Sequence, residues 1–356
     1  MKINHNNLLN IAFNIAKINL GKTRLNPSVG CIIVKNNSVI SSGVTSLNGR
    51  PHAEFNALNV KKNFVNSDMY VTMEPCVHHG LTQPCTDLII KKGIKRVFFC
   101  CYDVDKRTAR KSKKILNKRN IIVIKKNSNI FKDFYHSYYL SKDKSKPLID
   151  AKVAISKDYY TINKNAQWIT NKLSRSRVHL IRSEYDVIIS TSKTINEDNS
   201  LLNCRLNGFN NSKPDLIIID INLKIKNSLN LFKKINKRKI FIITSVYEKK
   251  KIEYLNKFGV KIIFVDHLKS KSDFIKLFKT LKDLGYNRLL VESGLIFLNE
   301  LLKKNFINNL YMFQSAEKLK KKGKNNVSSK ILQSFKLNNK INVNLNGDNL
   351  YKIKIR

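Results

Sequence analysis

No stretch of this chain reaches the ~18 consecutive apolar residues that a membrane-spanning helix needs, and the polar run Asn4, His5, Asn6 and Asn7 ahead of Leu8 does not make a secretory leader. A cytoplasmic protein without a membrane partner is the expectation. The six cysteines are too few for a disulfide framework in 356 residues, and two of them, Cys100 and Cys101, are adjacent. Cys31, Cys100 and Cys101 sit in strand-like runs and read as core, and Cys204 has no assignable partner, so a reducing compartment fits. Neither a Walker loop nor a G-x-G-x-x-G run occurs, so any nucleotide cofactor is held by other devices. Acidic residues are scarce, 25 against 67 Lys and Arg, for a net charge of +42. Such a balance suggests nucleic acid, but an electrostatic footprint clusters, and these lysines are spread along the whole length with Asn and Ile. The excess reads as codon bias in an AT-rich genome. The densest run, Lys318 to Lys324, reads as a solvated loop, and no specific nucleic-acid partner is expected.

What is present is one informative cluster: Pro51-His52-Ala53-Glu54, then Glu74-Pro75-Cys76, then Pro84-Cys85. One histidine and two cysteines make a zinc site with an open fourth position, at which the metal lowers the pKa of a water towards neutrality. Glu54, which is not a ligand in this reading, has a role as proton shuttle between that water and a leaving amine. His52 and Glu54 are two apart and would diverge in mid-helix, but Pro51 favours a helix start, so both can turn inward where a loop enters a helix over 53–62. Pro84-Cys85 opens a second helical run, to Lys92, and a helix N-terminus favours a thiolate at Cys85.

The length suits two domains. From Leu8 to Ile124 helical and strand patterns alternate, with helices over 8–20, 86–92 and 107–119 and strands over 29–34, 68–73, 95–101 and 120–124, which predicts a three-layer α/β sandwich. An aromatic helix over 131–139 and the polar run Ser141 to Lys146 follow, placing a boundary at 145/146 and domains at 1–145 and 146–356. The second part alternates again, with strands over 148–156, 186–190, 215–220, 239–244, 260–265, 288–292 and 310–314. Its helices are expected over 171–183, 248–258, 271–284 and 296–304, and the last stretch, 341–355, reads as paired strands around Asn346-Gly347.

In order and spacing, Asn26-Pro27-Ser28-Val29-Gly30-Cys31, Pro51-His52-Ala53-Glu54 and the run from Glu74 to Thr86 resemble the bifunctional riboflavin biosynthesis enzymes, pyrimidine deaminase joined to pyrimidine reductase. Eight residues separate Cys76 from Cys85. Nucleic-acid and cytidine deaminases typically carry a two-residue gap there. Two rival readings, a nucleic-acid base deaminase and a non-catalytic zinc-stapled binding protein, are opposed by that gap and by Glu54 respectively.

The resemblance implies a cytidine-deaminase-like first domain followed by a dihydrofolate-reductase-like α/β domain. Zn2+ and NADPH are the implied cofactors, phosphoribosylaminopyrimidines the substrates. It implies further that Asn26, His78 and Thr82 face the substrate of the first domain, where Leu81 and Gln83 replace the family's usual Arg and Pro. In the second, Ala154, Trp168, Thr194, Asp198 and Gly294 would line the NADPH site, while Arg182, Leu202, Arg205 and Glu292 hold the substrate. Ser293, Ala166 and Asn199-Ser200 depart there from the family's usual Gly, Ser and Asp-Pro, which leaves open the alternative of an enzyme with only its deaminase half active. Two arginines suit a ribose phosphate by bidentate charge-assisted bonds. The sequence leaves a homo-oligomer open.

Overall fold

A computed structural model of the chain describes residues 4–127, 130–143, 146–209, 214–233 and 238–356. It divides into two compact units, Met1–Lys146 and Pro147–Arg356. Residue 145, where the sequence places the boundary, lies outside the described residues.

The first unit is built on strands β1 (Gly30–Lys35), β2 (Ser38–Val44), β3 (Asp68–Met73), β4 (Arg96–Cys101) and β5 (Ile122–Lys125), in the order β2-β1-β3-β4-β5. β1 runs antiparallel to β2 and β3, whereas β3, β4 and β5 are parallel. Every residue of β3 is buried and all but the first of β4, so both faces of the sheet centre are covered, which makes the three-layer sandwich. Helix His5–Lys17 lays Leu9, Ala12, Phe13 and Ala16 on the core at helical spacing. It approaches β1 so closely that a Cβ at Gly30 would stand 1.9 Å from the Ala12 carbonyl oxygen. Helix Ala53–Leu58 does the same over β2, where a Cβ at Gly43 would stand 2.3 Å from the Ala53 carbonyl oxygen.

Four local expectations need correction. β2 has no counterpart in the sequence reading; it is a serine-rich edge strand, reached through the left-handed pair Asn36-Asn37 that fits a tight hairpin. The helix expected over 107–119 covers only Ser112–Asn117, because the carboxylate of Glu74 takes the backbone N–H groups of Arg110 and Ser112 and holds the preceding residues in turns. The helix expected over 53–62 ends at Leu58, and the one over 131–139 is two, Ile130–Phe134 and His136–Asp143.

The second unit contributes β6 (Leu148–Ile155), β7 (Ile162–Asn163), β8 (Val187–Thr191), β9 (Asp215–Ile219), β10 (Ile240–Thr244), β11 (Val260–Phe264), β12 (Arg288–Val291), β13 (Asn309–Gln314), β14 (Gly323–Lys324) and β15 (Asn349–Lys354). Eight of them form one sheet in the order β11-β10-β9-β8-β12-β6-β13-β15, and β7 pairs with β14. All neighbours in the large sheet are parallel except β15, which closes one edge antiparallel to β13. Alternate residues feed two separate cores: Ile217 and Ile219 with Phe241 and Ile243 on one side, Leu216 and Ile218 with Ile240 and Ile242 on the other. The chain end differs from expectation. Asn346 and Gly347 do turn, both at positive φ, but the residues before them pair with β15 only at one bridge, Lys340 to Tyr351, and β15 takes its full pairing from β13 instead. Among the described residues no helix is long and apolar enough to cross a membrane.

Candidate functional sites

His52 is the last extended residue before helix Ala53–Leu58, Cys76 follows β3, and Cys85 opens helix Cys85–Lys91 behind Pro84. The junction expected from Pro51 is therefore present, and it delivers three ligand atoms to one place. His52 Nδ1 stands 3.6 Å from Cys76 Sγ and 3.5 Å from Cys85 Sγ, and all three lie within 4.8 Å of one another. Tetrahedral bonds of ~2.3 Å to sulfur and ~2.05 Å to nitrogen put such atoms about 3.6 Å apart, so the donor set fits zinc in type and in spacing. The Cys76 sulfur accepts the backbone N–H of Cys85 at 3.3 Å. The Cys85 side chain above all, with the His52 ring and that backbone bond, holds the Cys76 thiol down to about 4, while the Cys76 side chain and burial hold Cys85 up.

Glu54 is buried on the first turn of the same helix. Burial pushes its carboxyl up to about 7 against the pull of the His52 ring, and a dication beside it favours the carboxylate. A cleft opens onto this group, lined also by Asn26, His78, Arg50, Asp103 and Tyr138. Asn26 Nδ2 donates to the Gly49 carbonyl at 2.9 Å, and His78 Nδ1 lies 2.9 Å from Thr108 Oγ1. Thr82 does not line the cleft: it is exposed, and its hydroxyl accepts from Arg50 Nη1 at 2.7 Å. Leu81 is 88% exposed and also outside it.

Glu74 has no role in the sequence reading beyond its place beside Cys76, yet its buried carboxylate organises the far wall. It accepts from the backbone N–H groups of Asp103, Arg110 and Ser112 at 3.3, 2.9 and 3.1 Å and from Ser112 Oγ at 2.8 Å. Those bonds fix the loop that carries Asp103 and Asp105 into the cleft and Thr108 to His78. Both aspartates follow the carboxyl end of β4, where ligands of parallel sheets gather, and that position is the signal that could have found them.

The second unit has its own cleft, with about 730 Å³ of room, at the carboxyl ends of β6, β8 and β12. It is lined by all nine residues expected there: Ala154, Trp168, Thr194, Asp198, Gly294, Arg182, Leu202, Arg205 and Glu292. Gly294 precedes helix Leu295–Lys303, whose N-terminus has no side-chain cap, which suits a cofactor phosphate; its own N–H donates to Thr194 Oγ1 at 3.1 Å. Trp168 is half exposed, with the Arg175 guanidinium 4.9 Å from its ring centre. The uncapped helix end, the exposed indole and the volume fit a nicotinamide dinucleotide.

Arg182 is not a free anchor. Its guanidinium pairs with buried Glu292 and also donates to the Asn203 carbonyl at 3.1 Å, and Lys152 Nζ lies 3.4 Å from the same carboxylate. Arg205, exposed, touches only Asn203 Oδ1 at 2.8 Å among the hydrogen-bonding groups described. Two further residues escaped the sequence reading. His179 lines the cleft with Nδ1 2.9 Å from the Asn203 carbonyl, which fixes the proton on that nitrogen; burial and the charges of Arg182 and Arg205 lower its pKa to about 4. Arg238 donates to the carbonyls of Leu201 and Leu202, holding Leu202 in a left-handed backbone conformation at φ 46°.

Two family models match this chain: the cytidine and deoxycytidylate deaminase zinc-binding region over residues 2–101 and the RibD C-terminal domain over residues 147–316. Riboflavin biosynthesis protein RibD of Actinobacillus pleuropneumoniae is 30% identical over 309 residues, 85% of this chain and 81% of that one. The protein of the same name from Buchnera aphidicola subsp. Baizongia pistaciae is 32% identical over 323 residues, 85% and 84% of the two chains. Among solved structures, a diaminohydroxyphosphoribosylaminopyrimidine deaminase/5-amino-6-(5-phosphoribosylamino)uracil reductase from Thermotoga maritima superposes with a TM-score of 0.82 at 24% identity, covering 98% of each chain. Acinetobacter baumannii RibD does so with the same score, identity and coverage, so the whole fold is shared. The chain belongs to the RibD family of riboflavin biosynthesis, enzymes that join a zinc-dependent deaminase domain to an NADPH-dependent reductase domain.

Proposed function

We propose that the first unit hydrolytically removes the 2-amino group of 2,5-diamino-6-(5-phosphoribosylamino)pyrimidin-4(3H)-one, and that the second reduces the ribosyl group of 5-amino-6-(5-phosphoribosylamino)uracil to ribityl. The observation that carries this is the His52, Cys76 and Cys85 triangle with Glu54 buried beside it, on a chain with a second cleft suited to a dinucleotide. Held by those three ligands, zinc supplies a water activated at neutral pH. Glu54 takes a proton from the attacking water and returns it to the departing amine, and Asn26 and His78 orient the ring from the cleft walls.

In the second unit NADPH supplies the hydride. Ala154, Trp168, Thr194, Asp198 and Gly294 position the cofactor, Arg205 meets the phosphate, and Leu202, held by Arg238, shapes the sugar subsite. Arg182 and Glu292 act as one unit, in which Arg182 orients the carboxylate and Glu292 offers its remaining acceptor capacity to sugar hydroxyls. The protein works in the cytoplasm, with phosphoribosylaminopyrimidines as its partners and no specific nucleic acid.

The test is turnover of the diaminopyrimidinone phosphate with and without NADPH, alongside zinc analysis. About one zinc per chain, deamination without NADPH and reduction only with it are expected. Tight, salt-resistant and sequence-selective RNA binding without turnover of the pyrimidine would replace this reading with a nucleic-acid deaminase.

A further inference from the structure

Three arginine and lysine side chains line the zinc cleft: Arg50, Arg107 and Lys142. Two of them share one carboxylate, that of Asp105. Arg107 makes paired bonds to Asp105, Nε to Oδ1 at 2.9 Å and Nη2 to Oδ2 at 2.7 Å, and Lys142 Nζ lies 3.4 Å from the same carboxylate. Arg50 differs. Among the described residues no carboxylate lies within ion-pair distance of it.

Its guanidinium is nevertheless fixed. Nη1 donates to Thr82 Oγ1 at 2.7 Å, and Nη2 sits against Gly80 so closely that a Cβ there would stand 3.4 Å from it. Neither contact cancels its charge. The side chain is half-buried, two residues ahead of the metal ligand His52. Holding an uncompensated guanidinium partly out of water costs free energy that an anion in the cleft recovers, and the rigid fork of donors suits a phosphate best. The remaining carboxylates of the cleft are occupied in other ways: Glu74 by the loop backbone, Asp103 by the Tyr138 hydroxyl at 2.6 Å, and Glu54 by its place beside the metal ligands.

We infer that Arg50, held by Thr82 under Gly80, is the phosphate anchor of the zinc cleft and makes the deaminase unit selective for phosphorylated over dephosphorylated pyrimidine. This rests on the deaminase reading above and names the residue that sets its substrate class.

The experiment compares the full chain with Arg50→Gln and Arg50→Lys, measuring deamination of the phosphoribosylaminopyrimidine and of its phosphatase-treated counterpart. Arg50→Gln is expected to raise KM for the phosphorylated substrate roughly tenfold to hundredfold, the scale of lost charge-assisted bonds, with kcat within about threefold and the dephosphorylated substrate unaffected. Arg50→Lys keeps the charge without the fork and falls between. Retained zinc and NADPH-dependent reduction report that each variant is folded. Equal loss on both substrates, a loss in kcat alone, or no change overturns the proposal. Calorimetric binding of ribose 5-phosphate, in an Arg205→Ala background that silences the second cleft, separates the two readings. Binding that depends on Arg50 in a chain that does not turn over the pyrimidine keeps the anion site and removes the reaction; binding independent of Arg50, or none, removes the anion site.

Discussion

Glu292 grips Arg182 through two hydrogen bonds, Nε to Oε1 at 2.6 Å and Nη2 to Oε2 at 3.0 Å, inside the second cleft. The pair joins residues 110 positions apart in the chain, one on helix Lys172–Ser183 and one just after β12. Burial by itself would raise the Glu292 carboxyl, but Arg182 and Lys152 outweigh it and bring the carboxyl down to about 2. The folded value lies below the ordinary value of 4.5, so the group contributes stability at pH above that value and loses it as pH falls towards 2.

Over that window the contribution is roughly 3 kcal/mol, since each pKa unit is worth about 1.4 kcal/mol. Urea unfolding of the wild type and Glu292→Gln at pH 7, 4.5 and 3 checks it. The wild type should lead clearly at pH 7, because breaking a buried pair leaves the cations without a counter-charge, and the gap should narrow on acidification. A gap that is the same at all three values refutes the assignment.

The pairing also separates the two arginines. Arg205→Ala should raise KM for the reductase substrate about tenfold or more while leaving stability and deamination in place, since its one described bond is to Asn203. Arg182→Ala should instead lower the unfolding midpoint as well as activity, because Glu292 is then left buried beside Lys152 alone. Steady-state kinetics of both steps, with an unfolding curve for each variant, distinguish these outcomes.

Glu54→Gln preserves the shape of the pocket and removes the proton carrier. Zinc content should stay at about one per chain while deamination falls by at least ~100-fold, and reduction of supplied deaminated substrate should be unchanged. Deamination at the wild-type rate would make Glu54 a structural residue.

The zinc cluster was legible because metal chemistry dictates residue types, and Pro51 and Pro84 mark where the helices begin; His52, Glu54 and Cys85 sit at those starts. The strands of the large sheet were legible because burial on both faces forces continuous apolar runs such as Leu216 to Ile219. What escaped was fixed by tertiary contacts. β2 carries serines and faces a helix rather than a repeating apolar layer, so no period announced it. The turns before Ser112 answer to Glu74, nearly forty residues earlier. Arg50 and Asp103 reach the zinc cleft from loops, and the opposed duties of Arg182 and Arg205 depend on a glutamate that sequence order does not bring near.

Gly43 tests how far the deaminase site depends on that packing. Its φ is not positive, so alanine meets no backbone strain; the obstacle is contact, with Ala53 O at 2.3 Å and Ala57 N at 2.5 Å from an added Cβ. The helix that carries Glu54 and follows His52 must move to admit the methyl group. Gly43→Ala should therefore cost about 1 to 3 kcal/mol, the scale of an overpacked core, and weaken zinc retention and deamination together. Ser42→Ala, one residue away and exposed, is the control and should change neither. Zinc competition with a chelator, run beside the deamination assay, reads both effects. Full zinc affinity and full deamination in Gly43→Ala would show that the helix is free to shift, and that the close approach over β2 does not set the metal geometry.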